Sequence, residues 1–129
     1  MFSNSTSVRK TRVLVVDSDA VFLGALSSAL SRSGYDVRSC EGWRGVLSHL
    51  NSPLPDLVLM DTGIPTLTDE QACRLIRDNS RHKETLIYLY SAQDHESLSA
   101  AVTRTQADGA FSRALGAEGM VARVNAVLG

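Results

Sequence analysis

Three short, unbroken apolar runs, Val13–Val16, Leu57–Met60 and Leu86–Tyr90, constrain this 129-residue chain more than any other feature. A strand with one wet face alternates apolar and polar residues. A run without alternation fits a strand covered on both faces, as in a parallel sheet. Two of the runs end in a carboxylate, Asp17 and Asp61, and the third ends in Ser91. Gly63 and Pro65 then mark the turn by which the second run emerges. In an open α/β sheet, ligands bind just past the carboxyl ends of the strands, so Asp61 is expected at the functional edge.

Helical patterns lie between the runs. Ser18 or Asp19 can cap a helix carrying Phe22, Ala25, Leu26, Ala29 and Leu30, which Gly34 closes. Tyr35–Cys40 alternates and carries charge, as an outer strand does. Gly42–Leu50 reads as a short helix with Val46, Leu47 and Leu50 on one side and Trp43 packing at its start. Thr68 or Asp69 can cap a helix carrying Ala72, Leu75 and Ile76. A further helix carries Leu98, Ala101, Val102 and Thr105. Ala110-Phe111 forms a short last strand, and a final helix from about Gly116 to Leu128 turns Val121, Val124 and Leu128 inward.

Strands alternating with helices imply right-handed crossovers and helices on both sheet faces. The fold class expected is α/β, a doubly wound, flavodoxin-like (βα)5 sheet in three layers. A strand order of 2-1-3-4-5 puts the apolar runs in the centre and the mixed segment at an edge. Residues 1–10 read as a polar lead-in and residues 11–129 as one domain.

A net charge of −1 supplies no basic field to draw nucleic acid or an anionic membrane. No apolar run approaches the roughly 18 residues of a membrane span, and Met1–Lys10 lacks the apolar centre of a secretory signal. Cys40 and Cys73 are too few and too far apart for a disulfide framework, and His49, His82 and His95 share no metal-ligand spacing. A cytoplasmic location with reduced thiols is expected.

The strand ends bring Asp17, Asp19, Asp61, Ser91 and Arg113 toward one rim. A phosphate-binding cofactor loop would need free backbone N–H groups after the first strand, whereas this chain places carboxylates there. Clustered acids suit a hard divalent ion such as Mg²⁺. An acid, a divalent ion, a hydroxyl and a cationic side chain together suit phosphoryl transfer to a carboxylate. Asp61 is then the nucleophile, with Ser91 and Arg113 contacting the new phosphate.

The chain resembles the receiver domains of two-component response regulators over residues 11–128. The resemblance rests on Val13–Asp17, Asp56–Asp61, Ile64-Pro65, Tyr90-Ser91-Ala92 and Ala107–Arg113, in order and in register. It implies that Asp61 is the phosphoacceptor, served by a histidine kinase or phosphotransfer protein. It implies that Asp17, Asp61 and the Gly63 backbone carbonyl hold Mg²⁺, with Ser18 or Asp19 as a further ligand, and that Ser91 is the switch hydroxyl. Receivers catalyse only their own phosphorylation and dephosphorylation, so no separate enzymatic activity is expected.

Several positions depart from the family pattern. Ser18 stands where a second acid is usual, which removes a charge and predicts weak Mg²⁺ binding. Arg113 replaces a lysine, and its planar fork makes that exchange a real change. Ala114 replaces the following proline, and Ala110 stands in the place of the switch aromatic, with Phe111 expected in the core.

Two functions follow. The first is a phosphorylatable receiver whose fourth helix, fifth strand and fifth helix change protein partners. The second is a pseudo-receiver that keeps the fold as an interaction module without efficient phosphorylation. An independent flavodoxin-like enzyme is a distant third. The expected partner downstream is another protein or a fused output domain outside this chain, with a homodimer also open; no nucleic acid or membrane partner is expected for this domain.

Overall fold

The apolar runs become neighbouring strands. The computed structural model describes residues 9–51, 53–79 and 84–129. Its strands are β1 (Arg12–Val16), β2 (Asp36–Cys40), β3 (Leu57–Asp61), β4 (Leu86–Ser91) and β5 (Gly109–Ser112). All pair in parallel, in the order β2-β1-β3-β4-β5. The three unbroken runs are central, and the mixed β2 lies at an edge.

Strand side chains alternate between faces. Val13, Val15, Leu57, Leu59, Tyr90 and Phe111 face one layer, built by α1 (Ala20–Arg32) and α4 (Gly116–Leu128). Leu14, Val16, Val58, Met60, Ile87 and Leu89 face the other, built by α2 (Asp69–Asn79), α3 (His95–Thr105) and the segment around Val46 and Leu50. Thus each sheet face has its own core, as expected of a doubly wound domain.

The helices α1, α2 and α3 begin where the sequence provides a cap, whereas α4 follows Leu115 with no side-chain cap. Asp19 accepts the N–H groups of Val21 and Phe22 at the start of α1. Thr68 and Gln71 exchange side-chain-to-backbone hydrogen bonds before α2, a reciprocal capping box. Asp94 caps α3 through the N–H of Ser97. Gly34, at φ +97°, follows α1 in the left-handed conformation that ends many helices.

Two details correct the sequence reading. Gly42–Leu50 forms no α-helix; it contains only the 3₁₀ turn Val46–His49. Gly42 and Gly45 both have positive φ, which a right-handed helix cannot carry through. The turn buries Val46 and Leu50 but leaves Leu47 54% exposed rather than on the inner side. In α1 the buried stripe is Leu23, Leu26, Ala29 and Leu30, and Ala25 points outward. Among the described residues there are therefore four α-helices, and the face expected of the fourth helix, fifth strand and fifth helix is α3, β5 and α4.

The expected lead-in 1–10 lies outside the described residues up to position 8. Arg9 forms a two-pronged pair with Asp56 at 3.0 Å on each arm. Asp56 also accepts the Arg12 N–H at 2.8 Å, joining the starts of β1 and β3. His82 lies outside the described residues. Cys40 and Cys73 are both buried and free.

Candidate functional site

Strand alternation decides which rim residues meet. Asp17 continues the series Val13, Val15; Asp61 continues Leu57, Leu59; Arg113 follows Phe111 by two. All three therefore come out on the α1–α4 side of the sheet, together with Tyr90. Ser91, one residue past Tyr90, belongs to the opposite face.

Asp17 is completely buried. One carboxylate oxygen accepts the Asp19 N–H at 2.8 Å, and the other accepts the Tyr90 hydroxyl at 2.7 Å. A buried carboxylate needs such partners, because an unmet one is costly. Burial, and then the donation to Asp17, push the Tyr90 phenol far above its ordinary value, so it remains a hydrogen-bond donor. Tyr90 in turn packs its ring against Phe22, with centroids 5.7 Å apart.

Asp61 is mostly buried at the end of β3. Its carboxyl is pushed up to about 6, chiefly by burial and next by the charge of Asp17, with Arg113 and the Thr62 N–H acting the other way. It remains mostly ionised above neutrality, and an ionised carboxylate is the nucleophilic form.

Arg113 begins the 3₁₀ turn Arg113–Leu115 after β5. Its guanidinium reaches Asp19 at 2.5 Å, Asp61 at 3.5 Å and Asp17 at 3.9 Å. The Phe22 ring lies beneath it, 4.2 Å from centroid to Cζ, a cation–π contact. Asp19 thus does two jobs: one oxygen caps α1, and the other holds Arg113. The Phe22 N–H is the largest influence holding the Asp19 carboxyl below its usual range, and Arg113 adds to it.

The remaining expected residues are less closely joined. Ser91 is buried at the end of β4, and its hydroxyl oxygen accepts the Gln93 N–H at 3.1 Å. Among the described residues no hydrogen bond links it to Asp61 or Arg113. Ser18 is exposed. Gly63, at φ +74°, donates its N–H to Asp69 at 3.0 Å, which ties the loop after Asp61 to the start of α2. Ala110 is half-buried against the α2–α3 core, and Phe111 is buried and stacks on Tyr88 at 4.8 Å. Trp43 packs partly buried beside the rim, in an open groove that also includes Ser18 and Glu41.

Tyr90 and Phe22 are the site residues that sequence reasoning missed. Tyr90 had a readable signal, since counting by twos along β4 places it on the face of Asp61, its partner in register. Phe22 had only its position one turn into α1.

Mg²⁺ takes oxygen ligands in a near-octahedral shell at roughly 2.0–2.1 Å. Among the described residues no three Asp, Glu, His or Cys side chains are grouped to hold a metal ion. Both oxygens of Asp17 are engaged, both of Asp19 are engaged, and Arg113 already stands among the carboxylates. This arrangement does not fit Mg²⁺.

A groove of about 640 Å³ opens away from this rim between α3, β5 and α4, lined by Leu98, Val102, Ala110, Phe111 and Leu115 among others. No helix among the described residues is long and apolar enough to cross a membrane.

Residues 13–125 match the response regulator receiver domain family. The chain is 32% identical over 117 residues to the response regulator MprA of Mycolicibacterium vanbaalenii, covering 91% of this chain and 50% of that protein. It is 25% identical over 117 residues to the phosphate regulon transcriptional regulatory protein PhoB of Escherichia coli, covering 91% of this chain and 51% of that protein. It therefore spans about half the length of these curated relatives. Among solved structures, the chemotaxis response regulator CheY4 of Vibrio cholerae superposes with a TM-score of 0.82 at 21% identity, covering 93% of this chain and all of that one. The BeF3-activated receiver domain of DrrB superposes with a TM-score of 0.73 at 24% identity, covering 93% and 98%.

Proposed function

The chain belongs to the response regulator receiver domain family, and from that premise we propose that Asp61 accepts a phosphoryl group from a histidine kinase or phosphotransfer protein. The observation that carries this reading is the placement of a strand-end carboxylate beside Asp17, mostly ionised above neutrality, with the Arg113 cation 3.5 Å from it. An Asp61 oxygen attacks phosphorus, the bond from phosphorus to the donor's nitrogen breaks, and the proton needed by the leaving imidazole comes from solvent. Arg113 supplies positive charge beside the phosphoryl oxygens, as cationic side chains do in phosphoryl transfer. Ser91 accepts the Gln93 N–H in the resting state, which leaves its hydroxyl hydrogen free to be donated to a phosphoryl oxygen.

Weak Mg²⁺ binding remains part of this reading, since the resting side chains leave the ion no ready set of ligands. The α3–β5–α4 groove is the surface that changes protein partners, another copy of this chain or an output protein among them. As a domain that catalyses only its own modification, it has no separate substrate.

Acetyl phosphate with Mg²⁺, followed by intact mass, tests the assignment. The expected result is one phosphoryl group on the wild type and none on Asp61→Asn. Beryllofluoride should change Trp43 fluorescence in the wild type and leave Asp61→Asn unchanged. The engagement of Asp19 with Arg113 favours the second reading, a pseudo-receiver that acts by binding alone. Absence of phosphorylation in the wild type would favour that reading instead, and equal modification of Asp61→Asn would overturn the assignment of Asp61 as phosphoacceptor.

A further inference from the structure

Arg113 Nη1 stands close to two carboxylate oxygens, Asp61 Oδ2 at 3.5 Å and Asp17 Oδ2 at 3.9 Å. A divalent ion bound to those two oxygens, with bonds only about 2.0–2.6 Å long, would contend with the guanidinium for the same negative charges. The guanidinium is also fixed from two other directions. Asp19 Oδ2 holds Nη2 at 2.5 Å, and the Phe22 ring supports the guanidinium face at 4.2 Å. Asp19 is the N-cap of α1 and Phe22 lies in its first turn, so the cation is anchored to a helix end rather than to a loose loop. Ser18, where a further carboxylate would have added a ligand for a metal ion, carries no charge.

We infer that Arg113 is the resident cation of this pocket, standing close to Asp17 and Asp61 and competing directly with divalent metal for their oxygens. The inference rests on the phosphoacceptor reading only for the identity of the pocket. It deepens that reading by naming what regulates entry. A metal ion binds when Arg113 swings away, and Arg113 leaves more readily when its hold on Asp19 is loosened. The receiver's metal requirement is thereby set by a side-chain clamp at the start of α1 and not by carboxylate count alone.

Mn²⁺ binding to the full, unphosphorylated chain tests this, with bound and free ion separated by electron paramagnetic resonance. Arg113→Gln keeps a polar side chain and removes the charge, and Arg113→Ala removes the side chain beyond Cβ. Each is expected to bind Mn²⁺ at least about tenfold more tightly than wild type, because a unit positive charge within about 4 Å of the ligands has gone. Adding Asp61→Asn to Arg113→Gln should abolish the gain. Thermal unfolding checks that each variant is folded, and if Arg113→Ala is not, Arg113→Gln carries the same expectation. Equal or weaker Mn²⁺ binding by Arg113→Gln overturns the inference, as does a gain that survives Asp61→Asn. Damage to the fold would weaken a metal site, so tighter binding separates competition from a merely structural role. Because no phosphoryl donor is present, this result and the mass measurement on Asp61 fail independently.

Discussion

Asp61 shares its end of the sheet with a second carboxylate, and burial together with that neighbour raises its proton affinity to about 6 from an ordinary value of 3.8. A carboxyl raised in the folded state contributes stability below its unfolded value, and that contribution is lost as pH rises through the folded one. Asp61→Asn removes the buried charge, so it should be more stable than wild type by on the order of 1–2 kcal/mol at about pH 7.5. That is less than the full linkage value, because the carboxylate retains some solvent and loses a favourable contact with Arg113. The advantage should shrink as pH falls through 6 and vanish only well below the ordinary value of 3.8, where the wild-type group is protonated in both states. Urea unfolding of both proteins across that range measures it; a gap independent of pH would contradict the assignment. Asp61, Asp17 and Arg113 were legible as strand-end residues. Their partners were not, because Tyr90 read as one more apolar strand residue until its hydroxyl was seen on Asp17.

At the scale of elements, the junction of β4 and β5 is the most sharply specified. Gly109 pairs with Tyr88, and a Cβ built on it would lie 2.5 Å from the Tyr88 ring. That ring cannot simply swing aside, since it stacks on Phe111. Gly109→Ala should therefore cost about 1–3 kcal/mol, the usual range for forced overpacking, read as a lower urea midpoint with unchanged slope. A neutral result would mean that the Tyr88–Phe111 stack yields easily. Strands and the well-capped helices were readable because their signals are local: apolar runs, Asp19, Thr68 and the final apolar face. The expected second helix was not, since its apolar spacing looked helical while Gly42 and Gly45 held the backbone in a left-handed conformation.

Over the whole molecule, the sheet separates two cores. Leu26 of α1 lies in one and Ile76 of α2 in the other, both fully buried. Each truncated to alanine should cost about 2–5 kcal/mol. Because they lie in separate clusters on opposite sheet faces, the double variant should match their sum within about 0.5 kcal/mol, as measured by chemical unfolding. A larger departure would show that the layers communicate through the sheet. The sequence alone determined the parallel sheet, its 2-1-3-4-5 order and the gathering of carboxylates at one rim. Those follow from short-range patterning and the fixed handedness of crossovers. Only the tertiary structure decided how the rim is wired. Tyr90 meets Asp17 across 73 residues and Arg113 meets Asp19 across 94. Such contacts depend on the final aim of side chains brought together by the whole fold, which no local pattern encodes.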